Sequence, residues 1–244
     1  MYIHIMNNNI VYFSGRPDGI GNRIEQLINI QEYCIENNLQ CNYIWNNSNF
    51  RNYLPLISFD NIEIVNTKNS NNIKNSNNIQ FKRTKDFNIR YKFDFNIDFN
   101  IDFNIEYDTI IHIRATDRLN PNMKHGDFSN GNELNIFIDK MITYVNNSSE
   151  INTYTIISDD NRYVDNIKNI ISNKFVTLSY DYNIPNELLD YYYLTKSNKN
   201  IIMCCKFSSY SITASILANK PLLCFKQSLD SNLPRYKANI QLID

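Results

Sequence analysis

The sequence predicts an α/β protein whose strands form parallel, doubly wound sheets. Short, almost wholly apolar segments alternate with longer segments of helical periodicity, most regularly after Tyr107. Strands that are apolar on both faces are covered on both faces, which is typical of parallel sheets with helical crossovers. Turn-forming and polar residues directly follow several of these strands, at the sheet edge where doubly wound proteins bind ligands.

The first predicted elements are a strand, a turn, a helix and a second strand. An apolar run at Ile10–Phe13 predicts the first strand, and the turn-rich segment Ser14–Gly19 ends it. Apolar residues then recur with roughly helical spacing, which predicts a helix that begins near Asn22. Cys41–Trp45 is predicted to be the second strand.

Tandem repeats set the middle of the chain apart. The polar unit KNSNNI occurs at Lys68–Ile73 and again at Lys74–Ile79, and the unit FNID occurs at Phe95–Asp98 and again at Phe99–Asp102. The polar repeat predicts a surface loop. The alternation of apolar and polar residues in the FNID repeat predicts an exposed or half-buried strand.

This pattern divides the chain into an N-terminal half (1–66), a low-complexity connector (67–106) and a C-terminal half (107–244). The C-terminal half alternates strand and helix patterns most regularly. Its predicted strands are Thr109–Ile113, Thr153–Ile157, Phe175–Leu178, Ile201–Cys205 and Leu222–Phe225, and its predicted helices are Ile136–Val145, Arg162–Ile171, Asn186–Lys196 and Ser211–Asn219.

Composition and charge exclude several classes of protein. The 244 residues carry a net charge of -1, which argues against nucleic acid as the main partner because phosphate binding needs a basic surplus. The five cysteines are odd in number and lie mostly in apolar runs, so we expect reduced thiols and a cytoplasmic location. The sequence contains no pattern of a secretory signal and no apolar stretch long enough to span a membrane.

Three polar clusters follow predicted strands. The glycines of Gly19–Arg23 would let a ligand approach the backbone closely, although a tight turn explains them equally well.

In His112–Asp117, strand alternation places His112 and Arg114 on one face, where the guanidinium suits a diphosphate. A structural Arg–Asp pair is the alternative. In Phe207–Ser211, hydroxyl and N–H groups at a helix start would cradle a phosphate, or a serine would cap the helix. Together the clusters predict a nucleotide-diphosphate site.

The motif His-x-Arg-x-Thr-Asp at His112–Asp117 is preceded by Gly-x-Gly-Asn-Arg at Gly19–Arg23 and followed by Ser-Asp-Asp at Ser158–Asp160 and Phe-Ser-Ser at Phe207–Ser209. This set of motifs resembles the α1,2-/α1,6-/protein-O-fucosyltransferase superfamily. The similarity covers about Phe13–Ile35 and Tyr107–Phe225. The resemblance implies a GT-B-like fold of two Rossmann-like halves with parallel sheets, the N-terminal half being reduced here. It also implies GDP-fucose as the donor, bound mainly by the second half without a metal, and transfer that inverts the anomeric centre.

The resemblance further implies roles for individual residues. His112 would lie near the guanine and the diphosphate, and Arg114 would hold the β-phosphate as the central catalytic residue. Asp190 would read guanine, whose N1–H and 2-amino groups are adjacent donors for a carboxylate. The other predicted donor-site residues are Gly19, Gly21, Asn22, Arg23, Asp159, Asp160, Ser208, Ser209 and Ser211.

The sequence departs from the family pattern at two places that matter for catalysis. Ala115 occupies the position of a second arginine, and the segment 120–122 occupies the region where α1,6-type members place a carboxylate base. The nearest candidate bases are Asp127, Glu133 and His125.

Three functions remain open on the sequence alone. The favoured one is an inverting fucosyltransferase that acts on a glycan or another hydroxyl acceptor. We expect it to need no metal or other cofactor, because the sequence lacks a cluster with ligand spacing and the adjacent Asp159 and Asp160 differ from an Asp-x-Asp motif. The alternatives are a GT-B glycosyltransferase that uses another nucleotide sugar and a nucleotide-sugar-binding module without catalysis.

Overall fold

The chain folds into two units, Met1–Asn96 and Ile97–Asp244. The computed structural model describes residues 10–15, 19–45, 57–65, 73–74, 88–95, 106–116, 119, 131–171, 174–226 and 238–244. Within these residues the protein is α/β, with five helices and two sheets whose strands are mostly parallel. The boundary between the units falls inside the predicted connector, and most of both repeats lies outside the described residues.

The first unit contains one long helix and a six-stranded sheet with the strand order β5-β1-β2-β4-β3-β6. β5 and β6 come from the predicted connector, so parts of that segment pair with the first sheet. The elements of this unit are β1 (Ile10–Ser14), α1 (Ile20–Glu36), β2 (Gln40–Ile44), β3 (Ile57–Phe59), β4 (Ile62–Val65), β5 (Ile73–Lys74) and β6 (Tyr91–Phe93).

The β1–α1–β2 segment is a parallel crossover whose ends follow from local sequence. Gly15 donates its N–H to the carbonyl of Ile44 over 2.8 Å, so the chain leaves β1 in direct contact with β2. The helix ends before Asn38, which has a φ of 52°, a left-handed conformation that asparagine tolerates better than most residues. The N–H of Leu39 then bonds the carbonyl of Cys34 over 2.8 Å and turns the chain into β2.

The first sheet differs from the predicted all-parallel arrangement, because β3 runs antiparallel to both β4 and β6. Only Asp60 and Asn61 separate β3 from β4, and so short a connection joins antiparallel strands. Asn61 has a φ of 65°, which suits the turn, and its carbonyl accepts the N–H of Cys41 over 2.8 Å. The turn is therefore fixed against the start of β2.

The second unit is a sheet of five strands, all parallel, in the order β8-β7-β9-β10-β11. Every residue of β7, β9 and β10 is buried, as expected for the central strands of a covered sheet. The elements of this unit are β7 (Thr109–Ile113), α2 (Gly131–Asn147), β8 (Tyr154–Ser158), α3 (Asn161–Ile170), α4 (Asn186–Thr195), β9 (Asn200–Cys204), α5 (Ser209–Ala218), β10 (Leu222–Phe225) and β11 (Ile240–Ile243).

The strand order places a topological switch point between β7 and β9. From β7 the chain moves outward to β8, and it then crosses back over β7 to form β9, β10 and β11 on the other side. In open α/β sheets the connections diverge at such a point and leave a crevice at the carboxyl ends of the two strands, where ligands bind. In this unit that position lies beyond the ends of β7 and β9.

The predicted strands and helices between Thr109 and Phe225 are present with one exception. Phe175–Leu178 was predicted to be a strand, but it forms only an isolated bridge between Phe175 and Tyr154. No helix among the described residues combines the length and the apolar character needed to cross a membrane. All five cysteines are buried.

Candidate functional site

The candidate site lies at the switch point, where α5 begins directly after β9. The imidazole of His112, the fourth residue of β7, is buried, with 7% of the residue exposed. Its Nδ1 lies 2.6 Å from the hydroxyl oxygen of Ser211 in the first turn of α5. The ring centre of Tyr210 lies 5.3 Å from that of His112, with the planes tilted by 34°. These contacts hold the end of β7 against the start of α5.

Ser208 is the N-cap residue of α5, but its side chain does not cap the helix. Its hydroxyl is completely buried and has no hydrogen-bond partner among the described residues. Leaving a buried hydroxyl unpaired costs about 1–3 kcal/mol. By contrast, α3 has a conventional cap, since the carboxylate of Asp160 accepts the N–H of Arg162 over 3.0 Å. The hydroxyl of Ser208 and the first N–H groups of α5 are therefore candidate donors to an anion at this helix start.

Asp159 shapes the turn that follows β7. Its carboxylate accepts the N–H groups of Ala115 and Thr116 over 2.7 and 3.1 Å and the hydroxyl of Thr116 over 2.5 Å. Arg114 is the residue between this turn and the end of β7, and it is half-buried. Asp159, which was predicted to contact the donor, thus positions the backbone beside Arg114 in this structure.

Asp160, the second member of the predicted acidic pair, also bonds its own chain. Its carboxylate caps α3 and forms a salt bridge with the guanidinium of Arg162, with an oxygen–nitrogen distance of 2.6 Å. The hydrogen bond from Arg162 lowers the pKa of Asp160 below its ordinary value. These contacts give Asp160 a helix-capping role.

Asp190 lies in the first half of α4, close to the start of α5. The hydroxyl of Tyr210 donates to the carbonyl of Glu187, and the rings of Tyr191 and Tyr210 meet edge to face with their centres 5.0 Å apart. Asp190 follows Glu187 by three residues, so the two residues are neighbours on the surface of α4. The side chain is thus placed within one turn of the contacts between α4 and α5.

The carboxylate of Asp190 is half-buried and accepts the hydroxyl of Tyr180 over 2.6 Å. Burial raises the pKa of Asp190 to about 6, while the bond from Tyr180 opposes that rise and the charge of Glu187 adds to it. Strongly shifted carboxylates beside a ligand crevice are candidates for function.

The four predicted residues of the first unit lie at the start of α1. Gly19 is the exposed N-cap, Gly21 is buried and Asn22 is half-buried. Arg23 is 1% exposed, and its guanidinium carbon lies 4.2 Å from the ring centre of Trp45, just beyond β2. Arg23 therefore packs in the core of its own unit, and its predicted role in donor binding stays a prediction.

The candidate general bases are only partly described. His125 and Asp127 lie outside the described residues, and Glu133 is a half-buried residue in the first turn of α2. Across the described ranges, no group of three or more His, Cys, Asp or Glu side chains could hold a metal ion. That observation covers only part of the chain, so metal independence stays a prediction.

A surface depression of about 710 Å³ runs along α2 and is separate from the switch point. It is lined by Ile136, Asp139, Lys140, Thr143, Tyr144, Asn147, Ser148, Ser149, Glu150 and Asp244. We favour the switch point as the functional site because it combines a helix start, an unpaired buried hydroxyl, an imidazole and Arg114. The depression along α2 has no comparable arrangement.

The structure brings some of the predicted residues together and adds others. His112 contacts Ser211 where β7 ends, and Ser208 and Ser209 begin the same helix. Sequence reasoning missed Tyr210, although it lies inside the Phe207–Ser211 cluster, because an aromatic residue at a helix start has no distinctive chemistry. It also missed the pairing of Tyr180 with Asp190, for which no local spacing gives a signal.

Comparison of this chain with protein-family models, with curated proteins and with solved structures found no match.

Proposed function

We propose that this protein is an inverting glycosyltransferase that transfers fucose from GDP-fucose to a glycan or another hydroxyl acceptor. The observation that carries the proposal is the buried hydroxyl of Ser208, which has no partner among the described residues, at the start of the helix whose Ser211 contacts His112. A diphosphate is the ligand that this arrangement suits, because it accepts hydrogen bonds from hydroxyl and helix N–H groups together. The resemblance of the motifs to the fucosyltransferase superfamily supports the choice of donor.

The protein's contribution to such a reaction is electrostatic. The bond between the sugar C1 and the β-phosphate oxygen breaks and its electron pair leaves with GDP, while the acceptor oxygen bonds C1 from the opposite face. The acceptor's proton passes to a base, for which Asp127, Glu133 and His125 are the candidates. Charge grows on the departing diphosphate, so fixed donors there stabilise the transition state more than the ground state.

Arg114 is the residue proposed to meet that growing charge. Strand alternation places it on the same face as His112, and Asp159 fixes the turn that follows it. The guanidinium presents a rigid fork of donors to two phosphate oxygens. Because Arg114 and the start of α5 already supply positive charge and donors, we expect transfer without a divalent metal ion.

A nucleotide-sugar-binding module without catalysis is the second candidate. It is favoured by the contacts of Asp159 and Asp160, whose carboxylates serve the turn after β7 and the start of α3. Those contacts do not place either carboxylate as the general base for the acceptor hydroxyl. Donor turnover distinguishes the two candidates.

The test is a thermal-shift panel in metal-free buffer, followed by turnover. GDP should raise the melting temperature, and UDP, ADP and CDP should raise it much less at equal concentration. GDP release from GDP-fucose, measured with candidate acceptors and repeated with EDTA, then tests transfer. Equal shifts for all four nucleotides would contradict the guanine assignment. Binding without release would support the module, and loss of release with EDTA that manganese restores would contradict metal independence.

A further inference from the structure

The tyrosine that contacts Asp190 is held in place by its own surroundings. The ring of Tyr180 meets the ring of Tyr193 edge to face, with 6.0 Å between the centres. Tyr193 donates its hydroxyl to the carbonyl of Ser179 over 2.5 Å, and its own carbonyl accepts the hydroxyl of Tyr107. The backbone before Tyr180 and the ring beside it are thus tied to α4 and to the segment before β7. A donor supported in this way is preorganised.

The hydrogen bond from Tyr180 leaves part of the Asp190 carboxylate available. Tyr180 donates to Oδ1, and Oδ2 accepts no hydrogen bond from the described residues. A carboxylate has about four lone-pair sites on its two oxygens. Both oxygens of Asp190 can therefore accept one further N–H each while the bond to Tyr180 is kept.

We propose that Tyr180 is a positioning residue for base recognition: by donating to Oδ1 it holds the Asp190 carboxylate in the orientation that receives two adjacent N–H donors from a nucleobase edge. This inference rests on the proposed function, in which Asp190 reads the base of the donor nucleotide. The Watson–Crick edge of guanine presents such a pair of donors. Hypoxanthine keeps the ring N–H and lacks the amino group, so it presents only one.

The charge state of Asp190 gives this contact a pH dependence. The described groups that act on the carboxylate are Tyr180 from the preceding loop and Glu187 from the same helix. On α5, which packs against α4, the hydroxyl of Tyr210 bonds the Glu187 backbone. Since only the carboxylate accepts both donors, recognition of the amino group should weaken as the pH falls through about 6. Removing the Tyr180 hydroxyl should move that loss to higher pH, because the bond lowers the pKa of Asp190.

The experiment measures the affinities of GDP and inosine diphosphate by calorimetry between pH 5 and 8, and the readout is their ratio. Both ligands carry the same diphosphate, so titration of the phosphate and of groups beside it cancels in the ratio. The wild-type protein should prefer GDP by about tenfold above pH 7. Tyr180→Phe keeps the ring packed against Tyr193 and should reduce the preference for GDP to about twofold. As the pH falls, the variant should lose this preference at a higher pH than the wild-type protein does.

Three further variants test whether the preference for GDP depends on the hydrogen bond from Tyr180 to Asp190. Tyr163→Phe removes a hydroxyl from a half-buried tyrosine on α3 and should leave the ratio unchanged. Asp190→Asn should abolish both the preference and its pH dependence. Asp190→Glu keeps Tyr180 but shifts the carboxylate by one methylene, and it should lose the preference even if Tyr180→Phe proves too unstable to measure.

The outcomes separate this inference from the proposed function. If the wild-type protein binds neither nucleotide, both are overturned. If it prefers GDP and Tyr180→Phe or Asp190→Glu keeps that preference with the same pH profile, the role of Tyr180 is overturned and the proposed function stands. If Tyr180→Phe weakens both nucleotides in the same proportion, Tyr180 is merely structural and the inference is likewise overturned.

Discussion

Ser208, the N-cap residue of α5, and Ser215 within that helix are alike in burial but differ in their hydrogen bonds. The hydroxyl of Ser208 is buried without a partner among the described residues, whereas the hydroxyl of Ser215 donates to the carbonyl of Ile212 over 2.8 Å. An unpaired buried hydroxyl destabilises a fold, while a paired one contributes to its stability. Ser208 therefore costs the fold stability that Ser215 does not, and a ligand that accepts its hydrogen bond would offset that cost.

Ser208→Ala should leave the free energy of unfolding unchanged or raise it by about 1 kcal/mol. The same change should weaken GDP binding by about five- to tenfold, because one donor to the diphosphate is lost. Ser215→Ala is the matched control, which should lower stability by about 1 kcal/mol and leave GDP affinity unaltered. Urea unfolding and calorimetry measure the two quantities. A destabilised Ser208→Ala protein with normal GDP affinity would show that this hydroxyl serves the fold.

Arg114 tests whether the site catalyses transfer as well as binding. Arg114→Ala should reduce turnover of GDP-fucose by about 100- to 1000-fold, the usual loss when a donor to a developing anion is removed. Arg114→Lys should recover little, because an ammonium group lacks the planar fork of a guanidinium. Arg162→Ala, at an exposed arginine on α3, makes the same change in net charge and is the control. Steady-state kinetics would contradict the mechanism if Arg114→Ala retained most of the turnover.

The contact between β1 and β2 depends on a glycine, Gly15, that has no room for a side chain. A Cβ at Gly15 would lie 2.5 Å from the carbonyl oxygen of Ile44 and 2.9 Å from the ring of Tyr43. The backbone oxygen cannot move away without breaking the bond from Gly15 to Ile44. Gly131, the first residue of α2, has nothing within 4 Å of the corresponding position.

Gly15→Ala should therefore destabilise the first unit by about 1–3 kcal/mol, as overpacking usually does. Gly131→Ala should be neutral or stabilising by up to about 1 kcal/mol, because alanine favours a helix. The fluorescence of Trp45 monitors the first unit selectively, since it is the single tryptophan and its ring centre lies 6.3 Å from that of Tyr43. A Gly15→Ala protein with an unchanged unfolding midpoint would show that β1 and β2 separate without cost.

The second unit could be predicted from the sequence more completely than the first. Its strands are apolar on both faces and are separated by helices of clear periodicity, so local pattern and tertiary burial agree. β3 and β4 were missed because they are only three and four residues long, and most of their pairing is with β6 and β2, which are distant in sequence. β11 was missed for the same reason, since it extends the sheet only through its pairing with β10.

The candidate site shows the same division between local and long-range information. The meeting of His112 with Ser211 follows from the rule that parallel strands end at one edge, which the sequence supplies. The structural roles of Asp159 and Asp160 do not follow from their spacing, because they depend on a turn that lies some forty residues earlier and on a helix cap. The contact between Tyr180 and Asp190 depends on the path of the loop between β8 and α4, which local pattern leaves open.

The half-buried carboxylate of Asp190 makes the stability of the protein depend on pH. Its pKa of about 6 in the folded protein lies above the ordinary value of 3.8. Well below that ordinary value the Asp190 carboxyl is protonated in both the folded and the unfolded protein, so it does not lower the free energy of unfolding. As the pH rises between the two values, the unfolded chain loses its proton first, so the free energy of unfolding falls and remains lower above about pH 6. One pKa unit corresponds to about 1.4 kcal/mol.

Asp190→Asn removes this ionisation while keeping an oxygen for the Tyr180 hydroxyl. The variant should be more stable than the wild-type protein by about 1–3 kcal/mol at pH 7.5, and the difference should vanish below about pH 3. Asp160→Asn should behave in the opposite sense, because the pKa of Asp160 is lowered by Arg162 and its stabilising effect is present at neutral pH and lost in acid. Far-UV circular dichroism in urea measures both differences. Because Asp190→Asn should also weaken GDP binding, a more stable protein with a poorer ligand site is the expected result. A variant that is less stable at neutral pH would show that Asp190 serves the fold, and its place in the proposed site would then be wrong.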